Sequence, residues 1–336
     1  MIIYSKDKSY KKFYKEIIDQ QIWQSSLHTQ TALNYYKQRP LDEGKTVQDK
    51  SYILIWGEEP VIAFQGAIVE KDKNSILQFY GVPCISIENK NKLTKKAYKT
   101  FLKEFDKILI NVNNSIIYRD YIIDNNISAL SRHLLLRGAK VVPYFSRIID
   151  LSQSETEMKR LLRKSYNSLI NWGLRELKPI ILDNSNLSWE NILEFRELHI
   201  RESGRETRSV DSWRKQFDMV KAGEAYLVVG YLKDDLVSAG FFMHSNTNCY
   251  YGSSASRRDL FDKPLFHSLM WKSICYAKSI GIQWFDLGEQ LFPNHPSEIL
   301  PSKKELGISD FKAGFGGQTR MFLDIKLDCS NINKDN

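Results

Sequence analysis

The sequence predicts an α/β (α+β) protein of two tandem domains packed together, each a mixed sheet with flanking helices. The chain has 336 residues, more than usually fold around one hydrophobic core, which favours two domains. Both halves also show one order of elements: a helical pattern, three successive strand patterns, a helix and a final strand. The predicted domains span residues 1–150 and 151–330, with a cleft between them.

The first half starts with helical periodicity at residues 10–18 and continues with hydrophobic runs typical of strands. Residues 57–60, Gly-Glu-Glu-Pro, predict a tight turn between the first two of these runs. The predicted elements after the opening helix are strands at 52–56, 61–69 and 75–82, a helix at 91–105, a strand at 108–112, a helix at 127–136 and a strand at 139–149.

The second half repeats this order. A turn predicted at residues 233–235, Lys-Asp-Asp, joins the first two strands of its three-strand meander. The predicted elements are helical stretches at 155–174 and 189–201 separated by a short strand at 179–182, strands at 225–231, 236–243 and 249–254, a helix at 265–278, and strands at 282–287 and 319–327.

Composition excludes a disordered chain and favours an anionic partner. Hydrophobic residues make up 42% of the chain and aromatic residues 12%, enough for packed cores. The net charge is +8, from 48 Lys and Arg against 40 Asp and Glu. This excess favours a phosphorylated metabolite, a nucleic acid or an acidic membrane surface as partner, without choosing among them.

The cysteines predict neither a zinc site nor a disulfide framework. The four of them lie far apart without a CxxC pair, which fits a reducing cytoplasm. No secretory signal or membrane-spanning stretch is recognisable. We therefore expect a cytoplasmic protein, with a peripheral position at the inner membrane face as an open alternative. The four cysteines are Cys84, Cys249, Cys275 and Cys329.

The most informative segment lies near the carboxyl end. A strand pattern ending in Phe285-Asp-Leu-Gly288 is followed by residues 307–317, where Lys312 stands between Phe311 and Phe315 among four glycines. Glycine permits close backbone approach, and a lysine held on apolar neighbours is a desolvated cation that can face an anion. The pattern predicts a basic, glycine-rich return at the rim of a substrate site.

These motifs resemble the FemAB family of aminoacyl and acyl transferases, which have a twin GNAT-like fold. The resemblance covers nearly the whole chain in outline. It implies two GNAT-like domains, a functional lysine at Lys312, and transfer of an acyl or aminoacyl group to an amine of a sugar nucleotide, peptidoglycan or surface-polysaccharide intermediate. The matching segments are Arg147-Ile-Ile-Asp-Leu151, residues 162–171, Phe285-Asp-Leu-Gly288, residues 308–317 and, more weakly, Trp23-Gln24-Ser25.

The chain departs from its relatives in two places. No sustained heptad pattern supplies the coiled-coil arm found in some of them. Residues 257–264, where GNAT enzymes have a glycine-rich phosphate loop, contain no glycine, so a backbone N–H nest for pyrophosphate is not expected. Arg257, Arg258 and Lys263 remain to contact phosphate. We expect no tightly bound cofactor and leave the donor open between aminoacyl-tRNA and acyl-CoA.

Three residues are catalytic candidates. Lys312 is the strongest, because a fixed cation stabilises the tetrahedral oxyanion that forms when an amine attacks an ester or thioester. Asp286 and Glu289, at the end of a strand pattern, could accept the amine proton, with turn capping as the alternative for Asp286. Phe311 either packs in the core or flanks the site.

Further residues are candidates for substrate binding. Arg205 and Arg208 lie in a loop between helices where the family has an arginine, and forked guanidinium groups suit diphosphates. An exposed charge pair is the alternative. Tyr250 and Tyr251 alternate along a strand, so one faces the core and the other the cleft. Neither metal-ligand spacing nor a nucleophile–histidine constellation is recognisable.

Two functions of different classes follow. The first is an acyltransferase whose acceptor is a phosphorylated small molecule or a lipid-linked sugar, with tRNA as one possible carrier of the donor group. The second is a non-catalytic binding module for RNA or an anionic glycan on a degenerate transferase fold, suggested by the missing phosphate loop. The oligomeric state is left open.

Overall fold

The computed structural model describes residues 1–78, 85–89, 92–122, 126–295 and 300–330. The chain forms two compact units, neither of them continuous in sequence. The first unit comprises Met1–Trp23, Tyr36–Tyr144 and Met321–Asn336, and the second comprises Gln24–Tyr35 and Phe145–Arg320. The predicted domain boundary at residue 150 stays a prediction.

Strands and helices alternate along the chain. The strands are β1 (Ile2–Tyr4), β2 (Thr46–Asp49), β3 (Tyr52–Trp56), β4 (Glu59–Gln65), β5 (Ala67–Lys71), β6 (Asn74–Leu77), β7 (Ile85–Glu88), β8 (Ser115–Asp120), β9 (Lys140–Asp150), β10 (Ile180–Leu182), β11 (Ala225–Leu232), β12 (Asp235–His244), β13 (Asn248–Ser256), β14 (Trp284–Glu289) and β15 (Gln318–Asp328). The helices are α1 (Tyr10–Ile18), α2 (Gln30–Asp42), α3 (Lys95–Leu109), α4 (Ala129–Leu135), α5 (Glu155–Arg160), α6 (Tyr166–Glu176), α7 (Trp189–Ser203), α8 (Val210–Lys221), α9 (His267–Ser279) and α10 (Lys303–Ala313), with short 3-10 helices at Ser26–His28 and Arg258–Leu260.

The first unit contains two arrays of strands. β1, β3, β4 and β7 pair antiparallel in that order. In the other array β2, β5, β6, β8 and the end of β15 are neighbours, with β6 and β8 parallel and the other pairs antiparallel. Helix α3 packs its apolar face on the core, where Phe101 and Phe105 contact the aromatic rings of Tyr52 and Phe64.

The second unit is built on strands in the order β10, β11, β12, β13, β14 and β9. β10 to β13 form an antiparallel run, β13 and β14 are parallel, and β14 pairs antiparallel with the end of β9. The parallel register covers three positions, from Asn248 opposite Trp284 to Tyr250 opposite Asp286. Its core includes residues of α6 and α9 and the buried faces of these strands.

The predicted α/β class with mixed sheets and flanking helices is confirmed, but several predicted elements are wrong. The run 61–69 is not one strand. β4 ends at Gln65, Gly66 bonds with Ser51 and Lys50, and β5 then joins the other array. Part of the strand predicted at 75–82 lies outside the described residues, and β6 supplies its start.

Helical periodicity also extends further than predicted in α3. The predicted strand at 108–112 is wrong because Ile108 and Leu109 continue the buried helical face of Phe101 and Phe105. The helix predicted at 155–174 is two helices, α5 and α6, separated at Leu161. Three helices had no sequence prediction: α2, α8 and α10.

Within the described ranges, no helix combines the length and apolar character needed to cross a lipid bilayer. The same part of the chain contains no group of three or more His, Cys, Asp or Glu side chains placed to hold a metal ion.

Candidate active site

Lys312 lies in the last turn of α10, a helix whose start is fixed by a capping box between Ser302 and Glu305. The sequence indicated a glycine-rich return here, but Gly307 lies within the helix and Gly314, Gly316 and Gly317 follow it. A cation is favoured near the carboxyl end of a helix, where the unpaired carbonyl groups carry partial negative charge. The helix therefore both positions Lys312 and favours its charge.

The ammonium group of Lys312 reaches the end of β14, where it donates a hydrogen bond to the carbonyl oxygen of Glu289 at 3.1 Å. An ammonium carries three donors, and this carbonyl is the acceptor that the described residues supply. Burial lowers the pKa of Lys312 below its ordinary value, while the nearby carboxylates of Asp286 and Glu289 oppose the shift. Donors remain for an oxygen of a bound molecule.

Gly288 lies beside this contact. Its φ is +80°, in the left-handed region that favours glycine. A Cβ atom there would lie 3.4 Å from the Lys312 nitrogen and 3.5 Å from the hydroxyl oxygen of Tyr250. The lysine and the tyrosine therefore lie against the same face of this glycine.

Tyr250 and Tyr251 point in different directions, as their alternation predicts. Tyr250 is half-buried beside Lys312. Tyr251 packs on the rings of Phe242 and Phe266, each at 5.6 Å between centroids, and burial raises its pKa to about 12. Of the two, Tyr250 is the one that lies beside Lys312.

Asp286 is 8% exposed and shapes the end of β14. One carboxylate oxygen accepts hydrogen bonds from the hydroxyl of Ser146 at 2.5 Å and from the backbone N–H of Gly288 at 2.7 Å. The register between β14 and β9 shifts between Asp286 and Glu289, which is the mark of a bulge. The geometry matches a turn-capping carboxylate, the alternative that the sequence left open.

Phe311 packs against the hydrophobic core of the second unit. Its ring lies 5.1 Å from His267 and 5.2 Å from Phe315 between centroids, and its carbonyl accepts from the hydroxyl of Tyr166 at 3.1 Å. A Cβ at Gly314 would lie 2.3 Å from the Tyr166 ring, so glycine is required there for this close packing. The aromatic cluster fixes the carboxyl end of α10.

The two arginines of the loop between α7 and α8 have different surroundings. Arg205 is exposed, and its side chain forms no hydrogen bond or ion pair with the described residues. Arg208 lies over the ring of Trp213 at 4.9 Å. One terminal guanidinium nitrogen of Arg208 is buried without a hydrogen-bond partner in the described part of the chain. Since buried donors are normally paired, this nitrogen is a candidate contact for a bound anion.

Arg257 and Arg258, which follow β13, interact with nearby acidic residues. Arg257 forms an ion pair with Asp259 at 2.5 Å and lies 3.7 Å from the carboxylate of Asp235. The backbone N–H of Arg258 donates to Glu202 at 3.0 Å, and its side chain is exposed. The charge of Arg257 is therefore compensated locally.

Sequence reasoning missed Ser146 and Gly288 as parts of the site. Ser146 is fully buried, and nothing in its local sequence marks it as a partner of a residue 140 positions away. Gly288 did carry a signal, because an isolated glycine at the end of a strand pattern indicates a bulge. The other members of the cluster, Lys312, Tyr250, Asp286 and Glu289, were all predicted candidates.

The fold is that of two GNAT-like domains in tandem, an α/β class in which each mixed sheet carries flanking helices. The chain is similar to the crystal structure of FemX, with a TM-score of 0.68, 13% identity and 96% of each chain covered. It is also similar to a tandem GNAT protein from the clavulanic acid biosynthesis pathway, with a TM-score of 0.56, 9% identity and 98% of each chain covered.

The structure of L-PGS from Bacillus licheniformis is a further neighbour, with a TM-score of 0.53, 13% identity, and 87% of this chain and 90% of that chain covered. No known protein-family profile matches the chain, and no curated protein matches it significantly. The similarities to solved structures confirm the predicted FemAB-like, GNAT-type fold.

Proposed function

We propose that the protein is an acyltransferase that moves an acyl or aminoacyl group to an amine of a cell-envelope precursor. The observation that carries the proposal is Lys312, a largely buried ammonium held by one carbonyl and flanked by Tyr250. The fold shared with FemX and a tandem GNAT protein supports the same class of reaction.

In the proposed reaction the acceptor amine attacks the carbonyl carbon of an ester or thioester. A C–N bond forms, the C–O or C–S bond to the carrier breaks, and the amine loses a proton while the leaving group gains one. The negative charge of the tetrahedral intermediate falls on the former carbonyl oxygen. The N–H donors of Lys312 that no described residue engages stabilise that oxygen, at about 3 kcal/mol for one well-placed donor.

The two carboxylates take different roles in this proposal. Asp286 accepts hydrogen bonds from Ser146 and Gly288, so we assign it to holding the bulge that aligns Glu289 and Lys312. The half-buried carboxylate of Glu289 is the candidate acceptor for the amine proton. Tyr250 positions the substrate.

The acceptor in this proposal carries phosphate, as a nucleotide- or lipid-linked sugar does. Arg208 has a buried nitrogen without a hydrogen-bond partner among the described residues, so it is the preferred anchor over the exposed Arg205. The donor stays open between aminoacyl-tRNA and acyl-CoA. Arg257 is engaged in ion pairs, and residues 257–264 contain no glycine that would help backbone N–H groups surround a pyrophosphate. Both observations argue against coenzyme A bound in the manner usual for GNAT enzymes, and they favour another donor or another mode of binding.

The test incubates the full chain with labelled acyl-CoA or labelled aminoacyl-tRNA pools and candidate sugar nucleotides, followed by mass spectrometry. Transfer is expected from one of the two donor pools. Lys312→Met is expected to lower turnover by about 10²–10³-fold, while Lys304→Met, an exposed position on the same helix, serves as the matched control. A folded Lys312→Met variant with full turnover would refute the role of Lys312.

A binding module remains the competing function. Tight binding of tRNA or an anionic glycan, with no transfer from either donor pool to any acceptor, would favour it over the transferase.

A further inference from the structure

A groove in the first unit has a lining that the proposed reaction does not use. It lies between α3 and α4 and has a volume of about 580 Å³. Its floor is apolar: Leu93, Tyr98 and Leu102 are partly buried against the core of the first unit, and Leu136 is 83% exposed. An exposed leucine beside an apolar groove is a feature of surfaces that bind apolar ligands or partners.

The rim of the groove is basic. Lys95, Lys99 and Lys103 recur every four residues on α3 and therefore lie on one face of that helix. Arg132 adds a fourth cation from α4. All four side chains are exposed, and none forms an ion pair with another side chain in the described ranges.

The acidic group in the lining is already paired. Asp106 accepts from His133 at 2.8 Å and from Arg137 at 3.0 Å. The carboxylate in the lining of the groove therefore does not form an ion pair with any of the four rim cations. The groove combines an apolar floor with uncompensated positive charge at its edge.

We propose that this groove binds an anionic membrane lipid and attaches the first unit to a negatively charged bilayer surface. Charge complementarity selects the headgroup, since each lysine near such a surface strengthens attachment. The floor selects a hydrocarbon chain, because burying Leu136 and its neighbours removes apolar surface from water. A nucleic-acid backbone would satisfy the lysines but leave the leucines in water.

The experiment measures sedimentation of the full chain with vesicles of phosphatidylcholine alone or of phosphatidylcholine mixed with phosphatidylglycerol. Binding is expected to the anionic vesicles only, and to weaken as salt is raised. The triple variant Lys95→Gln, Lys99→Gln, Lys103→Gln is expected to bind about a hundredfold more weakly. The triple variant Lys8→Gln, Lys11→Gln, Lys12→Gln removes the same charge from exposed positions near α1 and is expected to retain most of the affinity.

A second pair of variants tests the floor. Leu136→Ser is expected to weaken vesicle binding about tenfold, whereas Ile22→Ser, which removes another highly exposed apolar side chain at 74% exposure, should leave it unchanged. Circular dichroism confirms that each variant is folded. Vesicle binding does not require acyl transfer, so the result is independent of the proposed reaction.

Three outcomes would overturn the proposal. One is failure of the unmodified chain to bind the anionic vesicles. Another is an equal loss of vesicle affinity in both lysine triples, or no loss of affinity in Leu136→Ser, because either result would show that the groove is not the binding site. The third is tighter binding of tRNA or poly-glutamate that depends on the same lysines, which would assign the rim to a macromolecular polyanion or to an acidic protein.

Discussion

The ammonium group of Lys312 is largely buried, although burial disfavours a charged group. Desolvation lowers the pKa of this ammonium, and the carboxylates of Asp286 and Glu289 only partly offset the effect. A buried lysine of this kind lowers the stability of the folded protein. It suits a reaction in which negative charge develops nearby. The lowered pKa of Lys312 should therefore make turnover depend on pH.

Turnover is expected to fall as pH rises through the lowered pKa of Lys312, below its ordinary value of 10.5, because only the protonated form stabilises the oxyanion. Lys312→Arg should keep its charge throughout this range and lose that descending limb, at a lower maximal rate. The measurement is kcat/KM against pH with one acceptor, so that the acceptor amine contributes equally to both profiles. An unchanged limb in the arginine variant would contradict the assignment.

The two arginines of the α7–α8 loop should also differ. Arg208→Met is expected to raise KM for a phosphorylated acceptor about tenfold or more, since a charged hydrogen bond is worth about 1.5–3 kcal/mol, with little change in kcat. Arg205→Met, at the exposed neighbouring position, is the matched control and should change KM little. Equal effects at both positions would indicate general electrostatic attraction instead of a specific contact.

At the scale of elements, the site depends on how β14 ends and where α10 begins. The bulge after Asp286 turns the carbonyl of Glu289 towards Lys312, and the capping box at Ser302 sets the phase of the helix that carries Lys312. Neither element alone would bring the carbonyl and the ammonium together.

Gly288→Ala tests the bulge. The variant is expected to lose about 1–2 kcal/mol of unfolding free energy from its positive φ, and its methyl group, 3.4 Å from the Lys312 nitrogen, should lower turnover. Gly281→Ala is the control, because Gly281 has a φ of +85° and no atom of the described residues lies within 4 Å of the added Cβ. Denaturant unfolding and turnover are measured for both. Equal turnover in the two variants would show that the bulge does not position Lys312.

At the scale of the whole chain, the carboxyl-terminal strand returns to the first unit. The end of β15 pairs with β8, and Arg119 binds Asp324 through two hydrogen bonds, at 2.7 and 2.9 Å. Arg119 also lies over the ring of Tyr144 at 3.5 Å. The pairing ties residues about 200 positions apart into one core.

Asp324→Asn is expected to destabilise the protein by about 3 kcal/mol, because it leaves the mostly buried Arg119 without its charged partner. Asp310→Asn removes the partner of Arg163 in a far more exposed pair and should cost less than about 1 kcal/mol. Urea unfolding of both variants measures the difference. A similar loss in both would mean that burial does not decide the strength of these pairs.

Local sequence was sufficient for many elements and for part of the site. The limits predicted for β11, β12 and α7 agree with the structure to within about two residues, since both strands are mostly buried apolar runs and α7 starts at a capping box on Ser188. Helix α10 was not predicted, although Ser302 and Glu305 have the spacing of a capping box. Its apolar residues do not form a clear stripe, so periodicity gave no signal there.

The sequence by itself determined the mixed α/β class and singled out Lys312, because composition, periodicity and a glycine-rich motif are local properties. Only the tertiary structure decided that Tyr250, not Tyr251, lies beside Lys312, that Ser146 binds Asp286, and that a buried nitrogen of Arg208 has no partner in the described part of the chain. These facts depend on strand register and on packing between distant segments. No local pattern specifies either, since both arise from contacts formed when the chain folds.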